Sequence, residues 1–118
     1  MRATPAFVGL CFAVSASSAL AKEPYDGIWG DVGESCRAED SRLGIEGSRF
    51  DWYETHCDAR RLSASGSTWK FAMRCSGEGK RWRSVTRISL PSWDRLVMEN
   101  APVGPDARRQ IYRRCPRL

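Results

Sequence analysis

Residues 42–90 read RLGIEGSRFDWYETHCDARRLSASGSTWKFAMRCSGEGKRWRSVTRISL. Three Gly-X dipeptides, Gly47-Ser48, Gly66-Ser67 and Gly77-Glu78, separate runs in which apolar and polar residues alternate. Glycine at the first central position suits a type II′ turn, whose twist matches that of the flanking strands, so each dipeptide predicts a hairpin and a register. Folding about Gly47-Ser48 sets Ile45 opposite Phe50 and Leu43 opposite Trp52. Folding about Gly66-Ser67 sets Ala64 opposite Trp69 and Leu62 opposite Phe71. Folding about Gly77-Glu78 sets Met73 opposite Trp82, Arg74 opposite Arg81 and Ala72 opposite Arg83. All three registers bury one apolar face and turn a basic face outward, and a slip of one residue would reverse the two faces. Trp69, Phe71, Met73 and Trp82 therefore read as core.

Working outward, residues 25–30, 42–46, 49–55, 60–65, 68–75, 80–90, 93–99 and 108–114 read as strands, with a loop over 31–41. Residues 101–107 contain Pro102, Gly104 and Pro105 and read as an irregular connection. Regular spacing without a helical period implies an all-β fold: a small antiparallel up-and-down meander, either an eight-stranded barrel or a sandwich.

Residues 1–21 carry Arg2, a mostly apolar run from Ala6 to Val14, and small residues ending Ala19-Leu20-Ala21. This is the pattern of a secretory signal peptide cleaved after Ala21, and the apolar run is too short to span a bilayer. Cys11 follows Leu10 rather than a small residue, so it is expected to leave with the signal instead of carrying a lipid. Residues 22–118 then form a single small β domain, periplasmic or secreted.

Of the five cysteines, Cys36, Cys57, Cys75 and Cys115 remain. An even set behind an export signal reads as a disulfide framework, while no pair shows the short spacing of a zinc knuckle. In the register about Gly66-Ser67, Cys57 and Cys75 face opposite sides of the sheet. The expected bridges are therefore Cys36 with Cys57 and Cys75 with Cys115, which requires the connection over residues 101–107 to cross the barrel.

The opening Gly27-Ile28-Trp29, a G-x-W ahead of a meander, resembles the start of lipocalin-type and small periplasmic protease-inhibitor barrels. Glu54-Thr55-His56-Cys57, Cys75-Ser76-Gly77-Glu78-Gly79 and Tyr112-Arg113-Arg114-Cys115 also resemble segments of small uncharacterised exported bacterial proteins. The first resemblance implies a barrel and recognition of the inhibitor kind. The second implies no activity.

Catalysis has little to build on. Ser67-Thr68-Trp69-Lys70 matches S-x-x-K, yet it straddles a turn where the penicillin-recognising enzymes need a helix start, and their other motifs are missing. Gly77-Glu78-Gly79 has no following helix with which to cradle a phosphate. The one His adjoins a cysteine expected to be oxidised, so no nucleophile–base pair forms. No cofactor or metal is expected.

Two features remain for binding. Lys+Arg number 19 against 14 Asp+Glu, and Lys70, Arg74, Arg81, Arg83 and Arg87 fall on the outward face, with Arg61 nearby and Glu78, Asp94 and Glu99 as neutralising neighbours. Arginine pairs bidentately with carboxylate, so an acidic protein or anionic envelope component is the expected partner, and nucleic acid is not expected outside the cell. The second feature is a mouth cluster: Glu54 and His56 alternate onto the face of Phe50 and Trp52, and a turn at Cys57-Asp58-Ala59 brings Arg60 opposite His56. An inward carboxylate there must be paired.

These readings converge on an exported, non-enzymatic binding module of the bacterial envelope with inhibitor-like protein recognition. The alternative is a binder of a small or polymeric anion through the Arg face or the mouth; a structural envelope role is the third.

Overall fold

A computed structural model describes residues 22–103 and 109–116. Its strands are β1 (Gly27–Asp31), β2 (Arg42–Glu46), β3 (Arg49–Asp51), β4 (His56–Ser65), β5 (Thr68–Gly77), β6 (Lys80–Ser92), β7 (Arg95–Glu99) and β8 (Arg109–Arg114). Each pairs antiparallel with the next, and β8 returns to β1, closing an eight-stranded barrel. Closure gives every strand a neighbour on both sides, with β3 covering His56 to Asp58 of β4. The expected signal peptide lies outside the described residues.

Two of the three turns form where the dipeptides placed them. Ile45 pairs with Phe50 across Gly47-Ser48, and Ala64 with Trp69 across Gly66-Ser67. The third turn lies one residue later, at Glu78-Gly79, where φ is +49° and +77°. Positive φ at both central positions makes this a type I′ turn, which needs glycine second rather than first. The register about it moves by two: Met73 faces Ser84, Cys75 faces Trp82, Arg74 faces Arg83 and Ala72 faces Val85. A shift of two preserves which side chains face inward, so the core and basic faces stay as expected while the individual pairs change.

A single β-bulge accounts for the larger corrections. Between Ser63↔Lys70 and Arg61↔Phe71 the register shifts by one, leaving Leu62 unpaired. Beyond that point every β4 side chain lies on the face opposite to the one extrapolated from the turn. Leu62 is accordingly 44% exposed instead of opposing Phe71, Arg60 points outward, and Cys57 points inward directly opposite Cys75. The bridges are Cys57–Cys75 and Cys36–Cys115, not the expected pairs. Cys36 reaches Cys115 because the loop after β1 folds back on that strand; a Cβ on Gly30 would lie 3.0 Å from Cys115 Sγ and 3.2 Å from Cys36 Sγ. β7 and β8 are antiparallel, hydrogen-bonded neighbours, so strict alternation holds to the last strand; the expected crossing over residues 101–107 falls largely outside the described residues.

β3 is also shorter than expected. It stops at Asp51, and the Trp52 amide donates to the Thr55 carbonyl at 2.8 Å, turning the chain at Tyr53-Glu54 instead of at Cys57-Asp58-Ala59. The expected pair Leu43 with Trp52 does not form, because β2–β3 pairing ends at Gly44↔Asp51.

The interior is occupied by Trp29, Leu43, Phe50, Phe71, Met73, Ile88, Leu96, Met98 and Tyr112, all at 2% exposure or less. Tyr25 closes one end, meeting Trp69 and Phe71 edge-on at 5.0 and 5.5 Å. Trp52 lies over the other end, its Nε1 donating to the Tyr112 hydroxyl at 3.1 Å, and that hydroxyl donates to Gln110. The terminal segments are tied by Arg114, whose guanidinium stacks on Trp29 and donates to three backbone carbonyls.

Candidate functional site

The outer face of β4, β5 and β6 gathers most of the expected anion-binding residues. Arg74 stands directly opposite Arg83, Lys70 opposite Arg87, and Ser76 opposite Arg81. Ala72 and Val85 form the row between Arg74–Arg83 and Lys70–Arg87, and Val85 is 48% exposed. On the β4 side Asp58 neighbours Arg74 and Arg60 neighbours Ala72. Like charges directly opposite are unfavourable, and here two such rows occur on one face. Glu99 approaches Arg87 at 3.9 Å; among the described residues Arg60, Lys70, Arg74, Arg81 and Arg83 form no ion pair. Arg61 is elsewhere: it contacts Glu23 at 3.0 Å and donates to the Tyr25 hydroxyl at 2.8 Å, securing the segment that closes the barrel.

Two adjoining concavities run over this face. One, of about 470 Å³, lies among His56, Ser76, Arg81 and Trp82. The other, of about 410 Å³, lies among Arg60, Ala72 and Val85. Both are bounded by Asp58, Arg74 and Arg83, so together they make one groove along β5. The groove exists because the outward positions of β5 include Ala72 and Ser76, while longer residues flank them on β4 and β6. Sequence reading named the cations but not this floor; small residues alternating with basic ones on β5 were the available signal.

The mouth cluster does not assemble. Glu54, His56 and Arg60 are all exposed. His56 Nδ1 contacts Asp51 Oδ1 at 2.8 Å, across the β3–β4 pair. Glu54 sits beside Glu78, and the hydrogen bond between their carboxyls, reinforced by charge repulsion, raises its pKa. Their loops are pressed together: a Cβ on Gly77 would collide with the Glu54 carbonyl oxygen. Of the expected cluster only Trp52 is partly buried against the core. Arg60 instead joins the outer face, for the bulge reason given above.

A larger concavity of about 720 Å³ lies on the β1–β3 side, among Ile28, Gly44, Trp52 and Tyr53. Glu39 and Arg42 on its rim pair with each other at 3.9 Å, and Asp51, which also lines it, pairs with Arg49 at 3.8 Å, so its charges are compensated. The two disulfides point to an oxidising, extracytoplasmic environment. Compared with known families, curated proteins and solved structures, the chain matches none.

Proposed function

We propose that the protein is an exported, non-enzymatic recognition module of the bacterial envelope, binding an acidic protein partner through the outer face of β4–β6. The observation that carries this reading is Arg74 directly opposite Arg83, neither of them ion-paired among the described residues. Such a pair costs stability unless a shared counter-anion offsets it. Arginine interleaved with Ala72 and the half-exposed Val85 is also the composition of a protein interface, where Arg is enriched and an apolar floor is desolvated. A barrel whose interior is occupied by large side chains leaves recognition to its outside, in keeping with the resemblance to protease-inhibitor barrels. The periplasm is the compartment this reading implies.

The test compares mature, oxidised protein with an Arg74→Ser, Arg81→Ser, Arg83→Ser variant as baits for envelope extract. All three residues are exposed, so the variant should fold. Wild type should retain acidic proteins that salt releases, and the variant should not. Equal retention of the same proteins by both baits would overturn the proposal.

A further inference from the structure

The cationic face has a period as well as a sign. Outward positions along an antiparallel pair recur every two residues, about 6.7 Å apart. On β5–β6 the successive rows are Ser76–Arg81, Arg74–Arg83, Ala72–Val85 and Lys70–Arg87. Their character runs cationic, cationic, apolar, cationic. An extended polypeptide has the same rise and the same alternation, so its downward side chains meet successive rows in step.

We infer that the groove along β5 takes an extended acidic polypeptide segment with carboxylates at positions i, i+2 and i+6 and a small apolar residue at i+4. This rests on the reading of the face as an acidic-partner site and specifies the segment it takes. The carboxylates at i and i+2 meet Arg81 and the Arg74–Arg83 pair; the apolar residue covers Ala72 and Val85; the last carboxylate meets Lys70 and Arg87. A guanidinium pair flanking one carboxylate oxygen set allows two-point hydrogen bonding that a lysine face would not. Asp58 beside Arg74 and Glu99 beside Arg87 repel a carboxylate displaced toward β4 at the Arg74–Arg83 row or toward β7 at the Lys70–Arg87 row, while Arg60 stands on the β4 side of the apolar row. A polyanion of uniform charge fits less well, because a charge over Ala72 and Val85 would lie on an apolar floor with Arg60, at the β4 edge, as its one cationic neighbour.

The experiment uses the mature, oxidised protein and two fluorescein-labelled heptapeptides of the same composition, at low salt. One is Glu-Ser-Glu-Ser-Val-Ser-Glu; the other has its three glutamates contiguous. Fluorescence anisotropy should give at least about tenfold tighter binding of the patterned peptide, a difference that one well-placed charge row supplies. The double variant Arg74→Ser, Arg83→Ser should lose at least about tenfold for the patterned peptide. Val85→Asp, which leaves every cation in place, should weaken the patterned peptide more than the contiguous one. Equal affinities for the two peptides, both lost in the double variant, would overturn the register while leaving the acidic-partner reading standing. Unchanged binding in the double variant would overturn both. Inorganic polyphosphate binding more tightly than the patterned peptide, and displacing it, would identify an anionic polymer as the ligand and overturn the inference.

Discussion

The guanidinium of Arg114 stacks 4.3 Å from the ring centroid of Trp29. It also lies over the Trp93 ring at 4.5 Å, and Nε, Nη1 and Nη2 donate to the carbonyls of Trp93, Asp26 and Pro24 at 2.9, 2.8 and 2.7 Å. One side chain from the last strand thus holds the first strand, the β6–β7 turn and the segment leading into the barrel. Partial burial lowers its pKa, yet arginine stays charged at any ordinary pH. Arg114→Ala should destabilise by about 2–4 kcal/mol through lost stacking and stranded carbonyls. Arg114→Lys should recover little, since an ammonium cannot make the planar three-way fork. Urea midpoints check both, and a Lys variant as stable as wild type would show that charge alone suffices.

The two bridges differ in what they constrain. Cys36–Cys115 spans a sequence separation of 79 and Cys57–Cys75 one of 18. On the chain-entropy argument their loss costs about 4.5 and about 3 kcal/mol. Replacing Cys36 and Cys115 by Ala should therefore lower the urea midpoint more than replacing Cys57 and Cys75. The reverse order would mean that local packing of the buried Cys57–Cys75 pair outweighs the closure of the longer loop.

Alkaline pH should act through Tyr112. Burial pushes its pKa up to about 12, against the lowering effect of the Trp52 hydrogen bond. The unfolded chain releases this proton near pH 10, an ordinary tyrosine value, while the folded chain keeps it. Between those values the folded state binds more protons, so stability falls as pH rises, by roughly 1.4 kcal/mol per unit, and below about pH 10 the contribution is complete. Tyr112→Phe should flatten that decline whatever its effect on stability at pH 7. Parallel pH profiles of the two proteins would exclude Tyr112 as the group responsible.

A substitution that helps the fold should harm the proposed site. Arg83→Glu places opposite charges across from one another at the Arg74–Arg83 row and should stabilise by about 0.5 kcal/mol. The same change should weaken binding of the patterned acidic peptide. If stability rises and binding is unaffected, the row is a solvated surface and nothing more.

The architecture was legible because turn chemistry and alternation agree at Gly47-Ser48 and Gly66-Ser67, and because choosing the wrong dipeptide at Gly77-Glu78-Gly79 moves a register by two and not by one. The basic face survived that error intact. What was illegible traces to Leu62 and to the end of β3. A bulge carries no residue signature of its own when a Leu flanked by Arg61 and Ser63 fits either face, yet it inverts everything after it: the partner of Cys57, the orientation of Arg60 and the exposure of Leu62 itself. The mouth cluster failed for a related reason, since alternation was continued from Trp52 through His56 across a turn made by Tyr53 and Glu54, neither of which is a glycine or proline.

Leu62 has a further consequence for how such a chain tolerates change in length. Because Ser63 already faces Lys70 and Arg61 already faces Phe71, deleting Leu62 joins two registers that are correct on either side of it. No other residue needs a new partner. A chain lacking this residue would keep both disulfides and the whole outer face, whereas the loss of a neighbour such as Ala64, which is paired with Trp69, would set the strand out of step with its turn. Natural variation by one residue should therefore concentrate at this position, and two chains differing there would share a barrel while their β4 sequences, compared without a gap, looked shifted by one.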